Sequence, residues 1–130
     1  MKKIIIDDSI KPLEKILIID DDETFRFLLK NMLKDKYEII ESDNFEEAKE
    51  IINNIKFYYI ITDNNLNDGY KNSGLKLVDI IRKSEKNKYT NILFCSSYIS
   101  EDINEELKKY NLNICEKIYI FKKMEELSLI

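Results

Sequence analysis

An α/β fold, a parallel sheet wrapped by helices on both faces, is what this sequence predicts, and three observations predict it. Short apolar runs alternate with stretches whose apolar residues recur at helical spacing. The runs are nearly continuous, as strands covered on both faces require. The length, 130 residues, suits one domain around one core.

Ile16 to Ile19 is the first strand. Behind Asp22 and Glu23, acids that suit the positive end of a helix, Phe25, Leu28, Leu29, Met32 and Leu33 follow at helical spacing. Tyr37 to about Glu41 is the second strand. Asn44 with Glu47 resembles a capping box, and it heads a helix carrying Phe45, Ala48, Ile51, Ile52 and Ile55. Phe57 to Thr62 is the third strand, and Leu75, Val78 and Ile81 mark the helix after it. Ile92 to Cys95 is the fourth, followed by Ser100 as N-cap and by Ile103, Leu107 and Tyr110 on one helical face. Ile118 to Phe121 is predicted as the fifth strand. That leaves only Lys123 to Ile130 for the last helix, shorter than the average of about eleven residues. With two glycines and one proline in the chain, asparagine must serve in many turns.

Residues 1–14 read as an N-terminal extension and residues 15–130 as the domain. Ile4, Ile5, Ile6, Asp7 and Asp8 echo Ile18, Ile19, Asp20 and Asp21. Pro12 blocks a helix there, and the gap to Ile16 is too short for a crossover. An added edge strand is the expectation.

Basic side chains number 21 and acidic ones 25, so the surface is mixed and mildly acidic, and nothing points to a direct nucleic-acid partner. The run Arg82, Lys83, Lys86 and Lys88 contains Glu85 and reads as a solvated helix end. Cys95 and Cys115 are too few for a disulfide framework, no CxxC spacing occurs, and histidine is absent. Cys95 reads as a reduced core residue, which fits a cytoplasmic protein. No apolar run reaches the length of a signal-peptide core or a membrane span, so neither is expected.

In open parallel sheets, ligands bind at the carboxyl ends of the strands where strand order reverses. The first strand ends in Asp20, Asp21 and Asp22, the third in Asp63, the fourth in Ser96 and the predicted fifth in Lys122. Each alone has a plainer reading: a solvated helix turn for the acids, an Asx-turn for Asp63, a turn hydroxyl for Ser96, a surface cation for Lys122. Together they deliver acid, acid, hydroxyl and ammonium to one crevice. Carboxylates about 4 Å apart repel by roughly 4 kcal/mol per pair at an effective dielectric near 20. A hard divalent cation such as Mg²⁺ answers that repulsion. A metal, a lysine and a hydroxyl around one carboxylate then suit transfer of a phosphoryl group onto Asp63.

These residues resemble the response-regulator receiver family over about residues 15 to 124. The stretch from Ile16 to Asp21 with Thr24, Phe25 and Arg26 is similar to the family's first strand, acidic pair and helix. Ile60 to Leu66 resembles the phosphoacceptor motif, and Gly74, Leu75, Ile80, Ile81 and Arg82 the helix beyond. Phe94 to Ser97 resembles the hydroxyl motif, and Tyr119 to Lys122 the lysine motif. The resemblance implies a flavodoxin-like, doubly wound five-stranded parallel sheet of order 2-1-3-4-5. It implies Mg²⁺ held by Asp20, Asp21, Asp63 and the backbone carbonyl of Asn65, with Asp63 as phosphoacceptor and Lys122 and Ser96 on the phosphoryl oxygens. Ser96 and Tyr119 would form the switch pair. The donor would be a histidine kinase or histidine phosphotransfer protein, and the product a signalling switch rather than an enzyme, changing its protein contacts and with a homodimer through helix four, strand five and helix five as a further expectation.

Departures bear on this. Asn67 stands where the family usually has proline, the loop from Asp68 to Ser73 is about three residues longer than usual, and Lys123 replaces the common proline after the lysine. The short last helix would leave strand five partly uncovered. Two rivals follow: a receiver-like interaction module that works without phosphorylation, and a haloacid-dehalogenase-like phosphotransferase. The latter needs a second aspartate two residues after the nucleophile, where this chain has Asn65.

Overall fold

The side chains that leave the strands decide where the helices begin. In the computed structural model, which describes residues 12–130, β1 (Glu14–Ile19) ends at Asp20, and Asp22 caps α1 (Glu23–Leu33) by accepting hydrogen bonds from the Thr24 and Phe25 amides. β2 (Tyr37–Ser42) leads to Asn44, whose side chain accepts from the Glu47 amide and starts α2 (Phe45–Asn54). β3 (Tyr59–Thr62) is followed by a long loop and α3 (Ser73–Lys83). β4 (Asn91–Ser96) leads to Ser100, which caps α4 (Glu101–Leu107) on the Ile103 amide. β5 (Asn113–Glu116), a single 3₁₀ turn (Lys117–Tyr119) and α5 (Ile120–Glu126) complete the chain.

All strand pairs are parallel, and the sheet order is β2-β1-β3-β4-β5, as the resemblance implies. Successive strand residues face opposite sides, so each strand feeds two cores. Leu17, Ile19, Ile60, Ile92 and Phe94 pack with Phe45, Ala48 and Ile52 of α2, Leu77, Val78 and Ile81 of α3, and Leu107 of α4. Ile16, Ile18, Ile61, Leu93 and Cys95 pack on the other side with Leu29 and Leu33 of α1 and with Ile120 and Met124 of α5. The basic run closes α3: Arg82 donates to the carbonyls of Thr90 and Asn111, and Lys83 pairs with Asp79.

One element is displaced from its expected place. The fifth strand is Asn113–Glu116, not Ile118 to Phe121. Its pairing with β4 runs from Leu93↔Asn113 to Ser96↔Glu116. The apolar run Ile118 to Phe121 turns away from the sheet: Ile118 is 82% exposed, and Tyr119 and Phe121 are also exposed. Ile120 and Met124, one helical turn apart, are the buried pair, so this stretch obeys the period of a helix rather than a strand. The last helix is short, as expected, at seven residues, but it starts three residues earlier, and Ile120, Met124 and Leu129 pack with Cys115 in the core beside β5. Within β5 only Cys115 is buried, and Asn113, Ile114 and Glu116 stay half-buried, so the strand is partly uncovered.

Of the expected extension, residues 1–11 lie outside the described residues, and with them the added edge strand. Glu14 already belongs to β1.

Candidate functional site

The three consecutive acids after β1 have three different environments. Asp20 is buried, its amide donates to the Ser42 carbonyl, and its Oδ1 accepts from the Asp22 amide at 2.9 Å. Asp22 is spent on the helix cap. Asp21, the more exposed partner of Asp20, accepts a hydrogen bond at 2.7 Å from the side-chain amide of Asn67. Arg26 donates to the Asp20 carbonyl at 2.6 Å and pairs with Glu41, which holds the turn between β1 and α1.

Asp63 leaves β3 next to this turn because β1 and β3 are in register, with Ile19 opposite Thr62 and the Asp63 amide donating to the Ile19 carbonyl. Its Oδ1 accepts from the Asn64 amide at 2.7 Å. The Asn64 carbonyl accepts from the Gly74 amide, and α3 begins so close to this backbone that a Cβ on Gly74 would lie 1.9 Å from the Asp63 carbonyl oxygen. Glycine is required there by contact.

The ammonium of this crevice comes from Lys117. Its Nζ lies 2.7 Å from Asp20 Oδ2 and 3.1 Å from Asp63 Oδ2, and 4.5 Å from the centre of the Phe25 ring. Lys122, the residue expected in this role, sits exposed on α5 instead. The cause is the same displacement of β5: the first residue past the true strand end is Lys117. Tyr119 is corrected with it. It lies exposed beyond β5 and is not opposite Ser96, whose register partner is Glu116. Ser96 is buried at the carboxyl end of β4, one strand from Asp63.

Asp20, Asp21 and Asp63 can each offer an oxygen with all three oxygens within 4.8 Å of one another. Three carboxylates against one ammonium leave negative charge uncompensated, and hard oxygen donors at this spacing fit a divalent cation of the Mg²⁺ kind. The electrostatics follow from burial and from these neighbours. Burial pushes the Asp20 carboxyl up to about 6, against the Lys117 contact and the Asp22 amide, which pull it down. Burial pulls the Lys117 ammonium down, but its contacts with Asp20 and Asp63 outweigh this and leave it above the ordinary lysine value.

Sequence reasoning missed the anchoring of the long loop after β3. Asp68 accepts from the Phe45 amide at 2.7 Å, from the Tyr70 amide and from the Ser73 hydroxyl. Tyr70 packs its ring at a tilt against Phe45 and donates a hydrogen bond from its hydroxyl to Glu46. The loop is therefore fastened to the start of α2, and Asn67 is held against Asp21. Asn65 uses its side chain to accept from the Asn67 amide. The absence of proline at Asn67 was a visible signal, since the backbone there has φ +52, which proline cannot adopt.

Comparison with known proteins gives a consistent result. The model of the response regulator receiver domain matches residues 16–130. Comparison with the curated proteins finds no match. Among solved structures, a response regulator receiver protein from Pseudomonas putida is 23% identical with a TM-score of 0.78, covering 92% of this chain and 98% of its own. The chemotaxis protein CheY4 of Vibrio cholerae is 23% identical with a TM-score of 0.74, covering 88% and 98%. The receiver domain of a Pseudomonas aeruginosa sensor histidine kinase, solved with a magnesium ion coordinated in its active site cleft, is 14% identical with a TM-score of 0.74, covering 88% and 93%.

Proposed function

Because the chain belongs to the response regulator receiver domain family, we propose that it is a phosphoryl-accepting switch of two-component signalling whose acceptor is Asp63. The observation that carries this reading is the meeting of Asp20, Asp21 and Asp63 within 4.8 Å beside a lysine that touches two of them.

The residues divide the work. A carboxylate oxygen of Asp63 attacks phosphorus, the new O–P bond forms, and the bond from phosphorus to the donor imidazole breaks. Asp20, Asp21, Asp63 and the backbone carbonyl of Asn65 would hold Mg²⁺, which would neutralise the transferring oxygens. Lys117 moves its ammonium from the paired carboxylates onto a phosphoryl oxygen, and Ser96 donates its hydroxyl to another. The Asn64 amide fixes Asp63 Oδ1 and so orients the carboxylate. The chain contains no histidine, so the donor imidazole comes from elsewhere, and a histidine kinase or histidine phosphotransfer protein is the partner class.

Phosphorylation then shifts a population between two states of the face built from α4, β5 and α5 and changes its protein contacts, a second copy of the chain among them. Tyr119, exposed beyond β5, is left out of this step. Work in the cytoplasm fits this role, and no described helix is long and apolar enough to cross a membrane. Turnover of phosphate esters is not expected, because Asn65 carries no proton to give a leaving group.

Acetyl phosphate with Mg²⁺ tests the proposal. Intact mass should rise by one phosphoryl group, and Asp63→Ala should abolish the gain. An unmodified wild type, or a gain that survives in Asp63→Ala, would reject it.

A further inference from the structure

β4 and β5 place the chain's two cysteines opposite each other. Cys95 and Cys115 are register partners on adjacent parallel strands, and both belong to the core on the α1 and α5 side. Register partners on parallel strands point to the same face, and adjacent strands lie about 4.8 Å apart, inside the range over which a disulfide joins two backbones. The two sulfurs are 3.6 Å apart and share a hydrogen bond. Bond formation therefore asks for side-chain rotation and leaves the strands where they are.

The two thiols differ in access. Cys95 is 1% exposed, whereas Cys115 is 9% exposed and lines a cleft of about 190 Å³ with Tyr119, Lys122, Lys123 and Glu126. The hydrogen bond shared with Cys95 holds the Cys115 thiol below its ordinary value; burial opposes this and the Lys123 ammonium assists it. The same hydrogen bond, with burial, raises the Cys95 thiol. A small reagent entering the cleft meets the thiol more easily ionised, with its resolving partner behind it.

We propose that Cys95 and Cys115 form an oxidative modification site, in which a small peroxide admitted at the Cys115 cleft converts the pair to a disulfide that ties β4 to β5. The Cys115 thiolate attacks one peroxide oxygen, the O–O bond breaks, and the departing hydroxide takes up the Cys115 proton to leave as water. The resulting Cys115 sulfenic acid is attacked by the Cys95 sulfur; the S–S bond forms, the S–O bond breaks, and hydroxide leaves as water with the Cys95 proton. Two thiols lose two electrons and two protons, and one peroxide becomes two waters. The bond lies one residue before Ser96 and two before Lys117, so it fastens the strand ends that carry both side chains. This inference does not depend on Asp63 accepting a phosphoryl group.

Hydrogen peroxide added to the folded wild-type chain tests it, with free thiols counted by maleimide labelling after acid quench and unfolding. Both thiols should be lost together in the monomer, regained with a thiol reductant, and lost about tenfold faster or more than in the urea-unfolded chain, because the fold holds the partners together. Cys95→Ser should stop at a dimedone-reactive sulfenic acid on Cys115, and Cys115→Ser should keep its remaining thiol. Retention of both thiols in the folded chain, linkage between chains, or rapid oxidation of Cys115→Ser would overturn the proposal. A chain that gains phosphate but keeps both thiols fails this inference alone, and the reverse result fails only the phosphoacceptor reading.

Discussion

Gly74 rests against Asp63 so tightly that a Cβ would lie 1.9 Å from the Asp63 carbonyl oxygen and 2.7 Å from the Asn64 Cα. Both neighbours are backbone, so neither can swing aside. Gly74→Ala should destabilise the fold by about 1–3 kcal/mol, the usual cost of overpacking. It should also weaken Mg²⁺ binding, since the displaced backbone carries Asp63, one of the carboxylates proposed to hold the ion. Gly69→Ala is the control: its φ of +88 makes alanine strained, but nothing lies within 4 Å. Urea unfolding should register both changes, and a Mg²⁺ titration only the first.

Lys117 and Lys122 separate the observed site from the one read off the sequence. Lys117→Ala should slow labelling by acetyl phosphate about a hundredfold, the scale expected for losing one charge-stabilising donor. Lys122→Ala should label at the wild-type rate. The comparison is made by the time course of intact mass at fixed Mg²⁺, and equal rates in the two variants would contradict the assignment.

Mg²⁺ binding should depend on pH through Asp20. Its carboxyl is pushed up to about 6 by burial, so the folded apo chain takes a proton that the unfolded chain, near 3.8, does not. A raised acid favours folding fully below the unfolded value, and that contribution is lost as pH rises through about 6. The metal competes with the same proton, so apparent Mg²⁺ affinity should fall about tenfold per pH unit below 6. Thermal unfolding checks the sign: the rise in Tm on adding Mg²⁺ should be larger at neutral pH than in acid.

Asp68 should matter although it touches neither the acids nor Lys117. Asp68→Ala removes acceptors for the Phe45 and Tyr70 amides and the Ser73 hydroxyl, and should cost about 1–2 kcal/mol in urea unfolding. Burial raises this carboxyl, but those hydrogen bonds outweigh it and hold it below its ordinary value. Its contribution is thus present above the unfolded value and lost as pH falls through the folded one. The variant should show a shallower loss of stability in acid than the wild type.

Four strands, their helices and the caps at Asn44 and Ser100 were legible because each is specified locally, by period and by a polar side chain one step before the helix. Asp20, Asp21, Asp63 and Ser96 were legible for the same reason, since each follows a strong apolar run. β5 was not. Asn113, Ile114, Cys115 and Glu116 carry little apolar signal, and their strand is specified by pairing with β4, which a sequence does not display. Ile118 to Phe121 carries a stronger apolar signal and ends in a lysine, so it imitates the motif five residues too late. The spacing of Ile120 and Met124, followed by Leu127, was the helical clue available. The Asp68 anchor and the opposed cysteines depend on contacts between distant segments and left no local trace.

The pairing of Ser96 with Glu116 makes the sheet a ruler for the chemistry. Losing one residue within β5 would turn its inward side chains outward, and losing two would restore their faces while carrying Lys117 about 6–7 Å along the strand. The segment therefore tolerates exchange of side chains more readily than a change in length, because the count of residues from the sheet to the ammonium sets where the charge sits.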